Sequence, residues 1–141
     1  MSEHRFRLRA RYPETDQMGI VHHTNHFVWF EIGRTELLRE LGLPYAALEA
    51  RHIFMPVIEA GARYKRPVRY DEEIDVLTSV AEVTGVRVRF GYRLARHPAG
   101  EVVATGFTLH AATDETGAPR RLPSEVKARL EALVPAAGSG A

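Results

Sequence analysis

The chain contains no cysteine. That excludes a disulfide framework, a thiol nucleophile and thiolate metal sites, and it fits a reducing compartment. Lysine is almost as scarce. Of the 19 basic residues only Lys65 and Lys127 are lysines and the rest are arginines; a compositional bias of the source genome is the simpler account, and phosphate recognition is the functional one. A surplus of one charge is missing too, since a net charge of +1 gives no footing for nucleic acid or an acidic membrane surface. No run of 18 apolar residues occurs, and the opening "MSEHRFRLRARY" lacks an apolar core of signal-peptide length. The expectation is a soluble, cytoplasmic protein without nucleic-acid or membrane partners. At 141 residues and 45% hydrophobic, the chain can bury a real core in one domain, taken as residues 1–135, with a frayed tail over 136–141. It has neither an internal repeat nor an interdomain linker.

Hydrophobic period organises what is there. In "HRFRLRARY" Phe6, Leu8, Ala10 and Tyr12 alternate with arginines, the two-residue repeat of a half-buried strand. A helix is predicted from Thr24 or Asn25, either of which can cap it by accepting a backbone hydrogen bond. Phe27, Phe30, Leu37, Leu38 and Leu41 recur at helical spacing, and Trp29 and Ile32 widen the apolar face, so this helix is mostly buried. Gly42 can close its last turn in the left-handed conformation, with Leu43 folding back onto Leu38 and Pro44 forbidding continuation. Gly33 inside it costs about 1 kcal/mol of propensity, which implies that a sheet or partner helix comes too close there for a side chain. A short irregular or helical piece over Tyr45–His52 precedes four strand-like segments, Met55–Arg66, Glu73–Val83, Val86–Arg96 and Glu101–Thr113, the last three an antiparallel meander joined by short turns. Pro123–Val134 reads as a short amphipathic helix.

A helix this apolar needs burial on more than one side, and a twisted antiparallel sheet curling around it supplies that. The layout is an α+β hotdog fold, a long central helix wrapped by a curved five-stranded sheet. The stretch "ETDQMGIVHHTNHFVWFEIGR" resembles the signature of the 4-hydroxybenzoyl-CoA thioesterase-like family, D-x-x-G-[IV]-V, two further positions, then x-N-[YH] and an aromatic-rich helix. The later "YKRPVRYDEEIDV" is similar to that family's turn into its third strand, and the resemblance covers about residues 5–115. It implies an acyl-CoA thioesterase in which Asp16 faces the thioester carbonyl as nucleophile or as a base directing water. The backbone N–H of His23 would point at the carbonyl oxygen, and Gly19, Val21 and Asn25 would contribute to substrate binding. It further implies a site assembled between two subunits, hence at least a homodimer, with a homotetramer as the expected assembly.

The chemistry is consistent with that assignment. A thioester carbonyl is electrophilic and its thiolate leaves readily, so one carboxylate and one place to hold an oxyanion suffice. Backbone donors at a helix N-terminus offer the second. Taken alone, an Asp before Gly is a turn residue; the surrounding motif is what makes Asp16 a candidate. His22 and His26 have the i, i+4 spacing of a metal pair, but no Glu stands between them as in zincins and no third ligand is placed, so no metal is expected, nor any cofactor beyond the coenzyme A of the substrate. The His23 imidazole lines the pocket or acts as an acid or donor. Glu31 is taken as a helix-surface residue paired with Arg34 or Thr35, or else as a second polar group of the pocket. Lys65, Arg66 and Arg89, the last from the outward row Arg87/Arg89/Arg93, are candidates for coenzyme A phosphates; pairing of that row with Glu73, Asp75 or Glu82 explains it equally well. Two alternatives stand beside the thioesterase: a non-catalytic acyl-CoA binding module, and a hydratase or dehydratase of the same fold using His23 with a carboxylate.

Overall fold

The structure, a computed structural model, describes residues 3–135, and the tail expected over 136–141 lies outside them. Strand β1 (Glu3–Arg9) leads through a 3-10 turn at Tyr12–Glu14 and an irregular loop to α1 (Asn25–Glu40), then α2 (Tyr45–Ala50), β2 (Val57–Tyr64), β3 (Glu73–Val83), β4 (Arg87–Arg96), β5 (Glu101–Ala111) and α3 (Ser124–Glu131). The strands form one antiparallel sheet in the order β1-β3-β4-β5-β2. This is the expected hotdog arrangement, with the meander β3-β4-β5 at its centre. No helix among the described residues is long and apolar enough to cross a membrane.

The inner face of the sheet carries Ile74, Val76, Val80, Val88, Phe90 and Leu94, all buried, and α1 lies against it through Trp29, Phe30, Leu37 and Leu38. Burial of each such side chain stabilises by roughly 1.5–3 kcal/mol. Two glycines set how close the layers come. A Cβ on Gly33 would stand 2.5 Å from Val76 Cγ1 and would collide with the Thr78 hydroxyl, and one on Gly106 would stand 2.5 Å from the Phe30 ring. The close approach implied by a helical glycine is therefore to β3. In the space gained, Phe30 stacks on Tyr92 at 4.5 Å between centroids and 9° between planes. Helix α1 ends at Gly42 (φ +76°), where the Leu43 N–H reaches the Leu38 carbonyl at 2.9 Å, the left-handed closure read from the sequence.

Several boundaries and partners differ from expectation. Strand β2 is shorter than Met55–Arg66 because Met55 turns inward and gives its carbonyl to His110, and β5 stops at Ala111, Thr113 forming isolated bridges to Phe54 and Pro119. Neither Thr24 nor Asn25 caps α1 with its side chain. Arg34 is not a surface partner of Glu31. It is 7% exposed, and its Nε and Nη1 donate to the hydroxyls of Tyr45 (2.7 Å) and Tyr92 (3.1 Å), while Glu31 is exposed. Two of the acids proposed for the outward arginines on β4 pair elsewhere, Asp75 and Glu73 meeting Arg7 and Arg9 of β1, and Arg93 meets Glu3, while Glu82 stands opposite Arg89 in the β3–β4 register.

The Arg34 contact begins a directed chain through the core. Tyr92 donates onward to Thr108 (2.6 Å), Thr108 to His110 Nε2 (2.8 Å), and His110 Nδ1–H to the Met55 carbonyl (2.8 Å). Every group then has one role, and His110 must be the neutral Nδ1–H tautomer. Burial pushes its pKa down to about 4. The unfolded chain, where histidine titrates near 6.5, takes up the proton first as pH falls, so stability is intact above about pH 6.5 and is lost between there and pH 4.

Two measurements check these points. Gly33→Ala should lower stability by about 1–3 kcal/mol despite the gain in helix propensity, read as a lower thermal midpoint. The unfolding free energy from urea titrations between pH 7.5 and 4.5 should fall, His110 contributing a slope of up to about 1.4 kcal/mol per pH unit, and His110→Gln, less stable at pH 7.5, should have a shallower slope.

Candidate active site

Glutamate 14 organises the loop between β1 and α1. Its side chain is buried, with Oε1 accepting the Arg11 N–H at 2.7 Å and Oε2 the Trp29 indole N–H at 3.0 Å. Its backbone carbonyl accepts the His22 N–H (2.8 Å) and Asn25 Nδ2 (3.0 Å). One residue thus ties the exit of β1 to the entry of α1. Between these ends the chain makes a tight turn, Gly19 N–H to Asp16 C=O at 2.9 Å with Gly19 at φ +78°, a conformation that favours glycine. On the other side the Val21 N–H reaches the Val68 carbonyl at 2.7 Å, which joins the loop to the segment after β2.

The result is a cleft of about 310 Å³. Of the residues singled out from the sequence, Asp16, Val21, His23, Lys65 and Arg66 line it. Gly19 shapes the turn and Asn25 faces the loop backbone, so neither borders the cleft. Arg89 lies elsewhere, on the outer face of β4 with its guanidinium 4.0 Å above the Phe107 ring. Six further residues line it, Met18, Ile20, His26, Tyr64, Pro67 and Val68, and of these only His26 was weighed from the sequence, as half of a metal pair. Tyr64 could have been found only by knowing that the end of β2 meets the start of α1, whereas the spacing of His26 from His22 drew notice as a metal pair rather than as part of this cleft.

Asp16 is half-buried, and one carboxylate oxygen accepts the Met18 N–H at 2.9 Å. It is therefore a turn residue, as an Asp two positions ahead of such an N–H usually is. The turn occupies only Oδ1, and among the described residues no donor engages Oδ2. The helix entry follows the same pattern of nearly complete pairing. Val21 N–H bonds Val68, His22 N–H bonds Glu14, Thr24 N–H reaches His22 Nδ1 at 3.3 Å, Asn25 N–H bonds His22 O, His26 N–H His23 O and Phe27 N–H Thr24 O. Among the described residues the His23 N–H has no acceptor. It sits at the positive end of the α1 dipole, whose first turn carries no acidic side chain.

The histidines do different things. His22 is exposed ahead of the helix, packs against His23 with the rings tilted by 33° and 4.4 Å between centroids, and meets the Thr24 hydroxyl at 2.8 Å. His26 is 4% exposed inside the first turn, donates Nδ1–H to the His23 carbonyl at 3.1 Å, and has its pKa pushed down by burial. The i, i+4 pair is thus split between solvent and interior. Tyr64 packs edge-on against His26 and donates its hydroxyl to the same His23 carbonyl at 2.8 Å.

The model of the thioesterase-like superfamily matches residues 11–130. The acyl-CoA thioesterase YbgC of Haemophilus influenzae is 31% identical over 131 residues, 91% of this chain and 94% of its own. Among solved structures, a hypothetical protein TT1821 from Thermus thermophilus superposes with a TM-score of 0.86 at 38% identity, covering 93% of this chain and 97% of that one. A DHNA-CoA thioesterase from Staphylococcus aureus does so with a TM-score of 0.86 at 31% identity, covering 94% and 93%.

Removal of the buried carboxylate should be felt at both ends of the loop. Glu14→Ala leaves two donors unpaired and should cost about 1–3 kcal/mol, seen in thermal melts and in the emission of Trp29, the only tryptophan in the sequence.

Proposed function

We propose, for a chain that belongs to the thioesterase-like superfamily, that it is an acyl-CoA thioesterase hydrolysing the thioester to a free acid and coenzyme A. The observation that carries the mechanism is the pairing, in one cleft, of a carboxylate with an unengaged oxygen and a backbone N–H without an acceptor. In the proposed reaction the thioester carbonyl oxygen rests on the His23 N–H, helped by the helix dipole, and Asp16 Oδ2 attacks the carbonyl carbon or directs a water onto it. The negative charge that develops on oxygen is met by a fixed donor that needs no reorganisation, the form of stabilisation that contributes most in acyl transfer. The C–S bond breaks and the coenzyme A thiolate departs; in the nucleophilic branch water then cleaves the acyl–Asp16 anhydride, so in either branch one water is consumed to give the free acid and the thiol.

The hydratase alternative draws no support from this geometry, because the His23 ring packs against His22 and hydrogen-bonds neither Asp16 nor Glu31 among the described residues. Lys65 and Arg66 are suited to coenzyme A phosphates at the cleft rim; Arg66 Nε lies 3.3 Å from Glu101, and Lys65 has no carboxylate partner among the described residues. Arg89 is dropped from that role for this protomer's cleft. A second copy of the chain belongs to the same proposal. Strand β2 is an edge of the sheet, and Val57 and Ile58 on it are 47% and 48% exposed, a surface suited to pairing with another sheet edge.

Acetyl-CoA, palmitoyl-CoA and benzoyl-CoA, with released thiol followed by a colorimetric reagent, test the reading in a protein that contributes no thiol of its own. Turnover of at least one is expected, and Asp16→Asn should reduce it by at least about a hundredfold while leaving the thermal midpoint within a few degrees. Turnover retained in Asp16→Asn would sink the role of Asp16, and saturable binding without thiol release would replace the enzyme by a binding module.

A further inference from the structure

The geometry points to Asn25 and Tyr64 as positioning residues that aim the His23 amide, an inference that rests on the thioesterase reading above and deepens it. The His22–His23 peptide is trans, so its carbonyl and the His23 N–H point in opposite directions. Whatever holds the His22 carbonyl therefore sets the direction of the amide hydrogen. Asn25 holds it twice, through its backbone N–H at 3.0 Å and its side-chain Nδ2 at 3.4 Å, and the same Nδ2 is anchored on the Glu14 carbonyl at 3.0 Å. The next peptide is held from the other side. The His23 carbonyl takes the Tyr64 hydroxyl at 2.8 Å, His26 Nδ1–H at 3.1 Å and the His26 N–H at 3.4 Å.

Both peptide planes flanking His23 are thus pinned, and neither is pinned by its own side chain. The His23 N–H is what remains, directed away from the His22 carbonyl and without an acceptor among the described residues, at a residue that lines the cleft. A backbone donor cannot be tuned by substitution at its own position, so its aim has to come from neighbours. Donor alignment decides how much a hydrogen bond to a developing oxyanion contributes. Asn25 and Tyr64 act on the transition state through His23; they are not themselves placed against the reacting atoms by this geometry.

The test is kinetic. With the best of the three acyl-CoAs, Asn25→Ala should lower kcat about 10- to 100-fold and Tyr64→Phe, which keeps the ring lining the cleft, about 3- to 30-fold. KM, and the Kd for the thioether analogue lacking the carbonyl oxygen, should stay within about threefold of wild type. A purely structural role would lower the thermal midpoint and the active fraction without that split. Loss of thioether affinity would make either residue a substrate contact and overturn the inference, as would an unchanged kcat in both variants. If Asn25→Ala does not fold, Tyr64→Phe alone decides. Turnover abolished by Asp16→Asn but untouched in these two variants overturns only the aiming; turnover that survives Asp16→Asn overturns the mechanism beneath it as well.

Discussion

Burial of Glu14 is the constraint on which the site depends. A carboxylate and a carbonyl taken out of water are tolerated only when their lone pairs find donors, and here four donors converge on one residue from Arg11, His22, Asn25 and Trp29. Those donors belong to the end of β1, the loop and the first turns of α1, so satisfying Glu14 fixes the loop against the helix. Trp29 is the deepest of them, buried among the apolar residues of the core. The geometry of the cleft is in this way referred to the hydrophobic core through a single indole N–H.

A second polar path runs through the other end of the same core. Arg34, Tyr92, Thr108 and His110 hand a hydrogen bond from α1 across β4 and β5 to the Met55 carbonyl at the foot of β2. Strand β2 then ends at Tyr64, whose hydroxyl returns to His23, two residues ahead of α1. Helix and edge strand are therefore tied at both ends of the strand. An edge strand with only one neighbour has half its backbone ladder missing, and these two ties limit how far it can shift against the helix.

Hydrophobic period made much of this legible. The alternation in β1 and β4, the broad face of α1 and the Gly42 closure are local patterns, and they fold as read because each is decided by nearest neighbours in sequence. Gly33 was legible as an anomaly, with β3 as its cause visible only once the layers were packed. Arg34 was misread because an exposed i, i+3 partner is the ordinary fate of a helical arginine; two tyrosines distant in sequence, Tyr45 and Tyr92, drew it inward. Glu14 carried no signal at all. It precedes the recognisable motif by two positions, and its importance comes from what its lone pairs meet in space. The loop containing Asp16 and His23 stood out by motif and His26 by its spacing from His22, whereas Tyr64 did not, since the contact between the end of β2 and the start of α1 is tertiary.

Glu14 and Asp16 also explain why one carboxylate of this loop is available for chemistry and the other is not. They are two residues apart with the same functional group, and their environments divide them. Both oxygens of Glu14 are engaged in the interior, so any new bond it made would strand a buried donor. Asp16 commits one oxygen to its turn and, at a residue that lines the cleft, has no donor on the other among the described residues. The turn bond keeps the side chain from rotating freely, which reduces the entropy lost on reaching a reactive orientation. A turn residue and a reactive carboxylate are then compatible descriptions of Asp16, because holding the first oxygen is what orients the second.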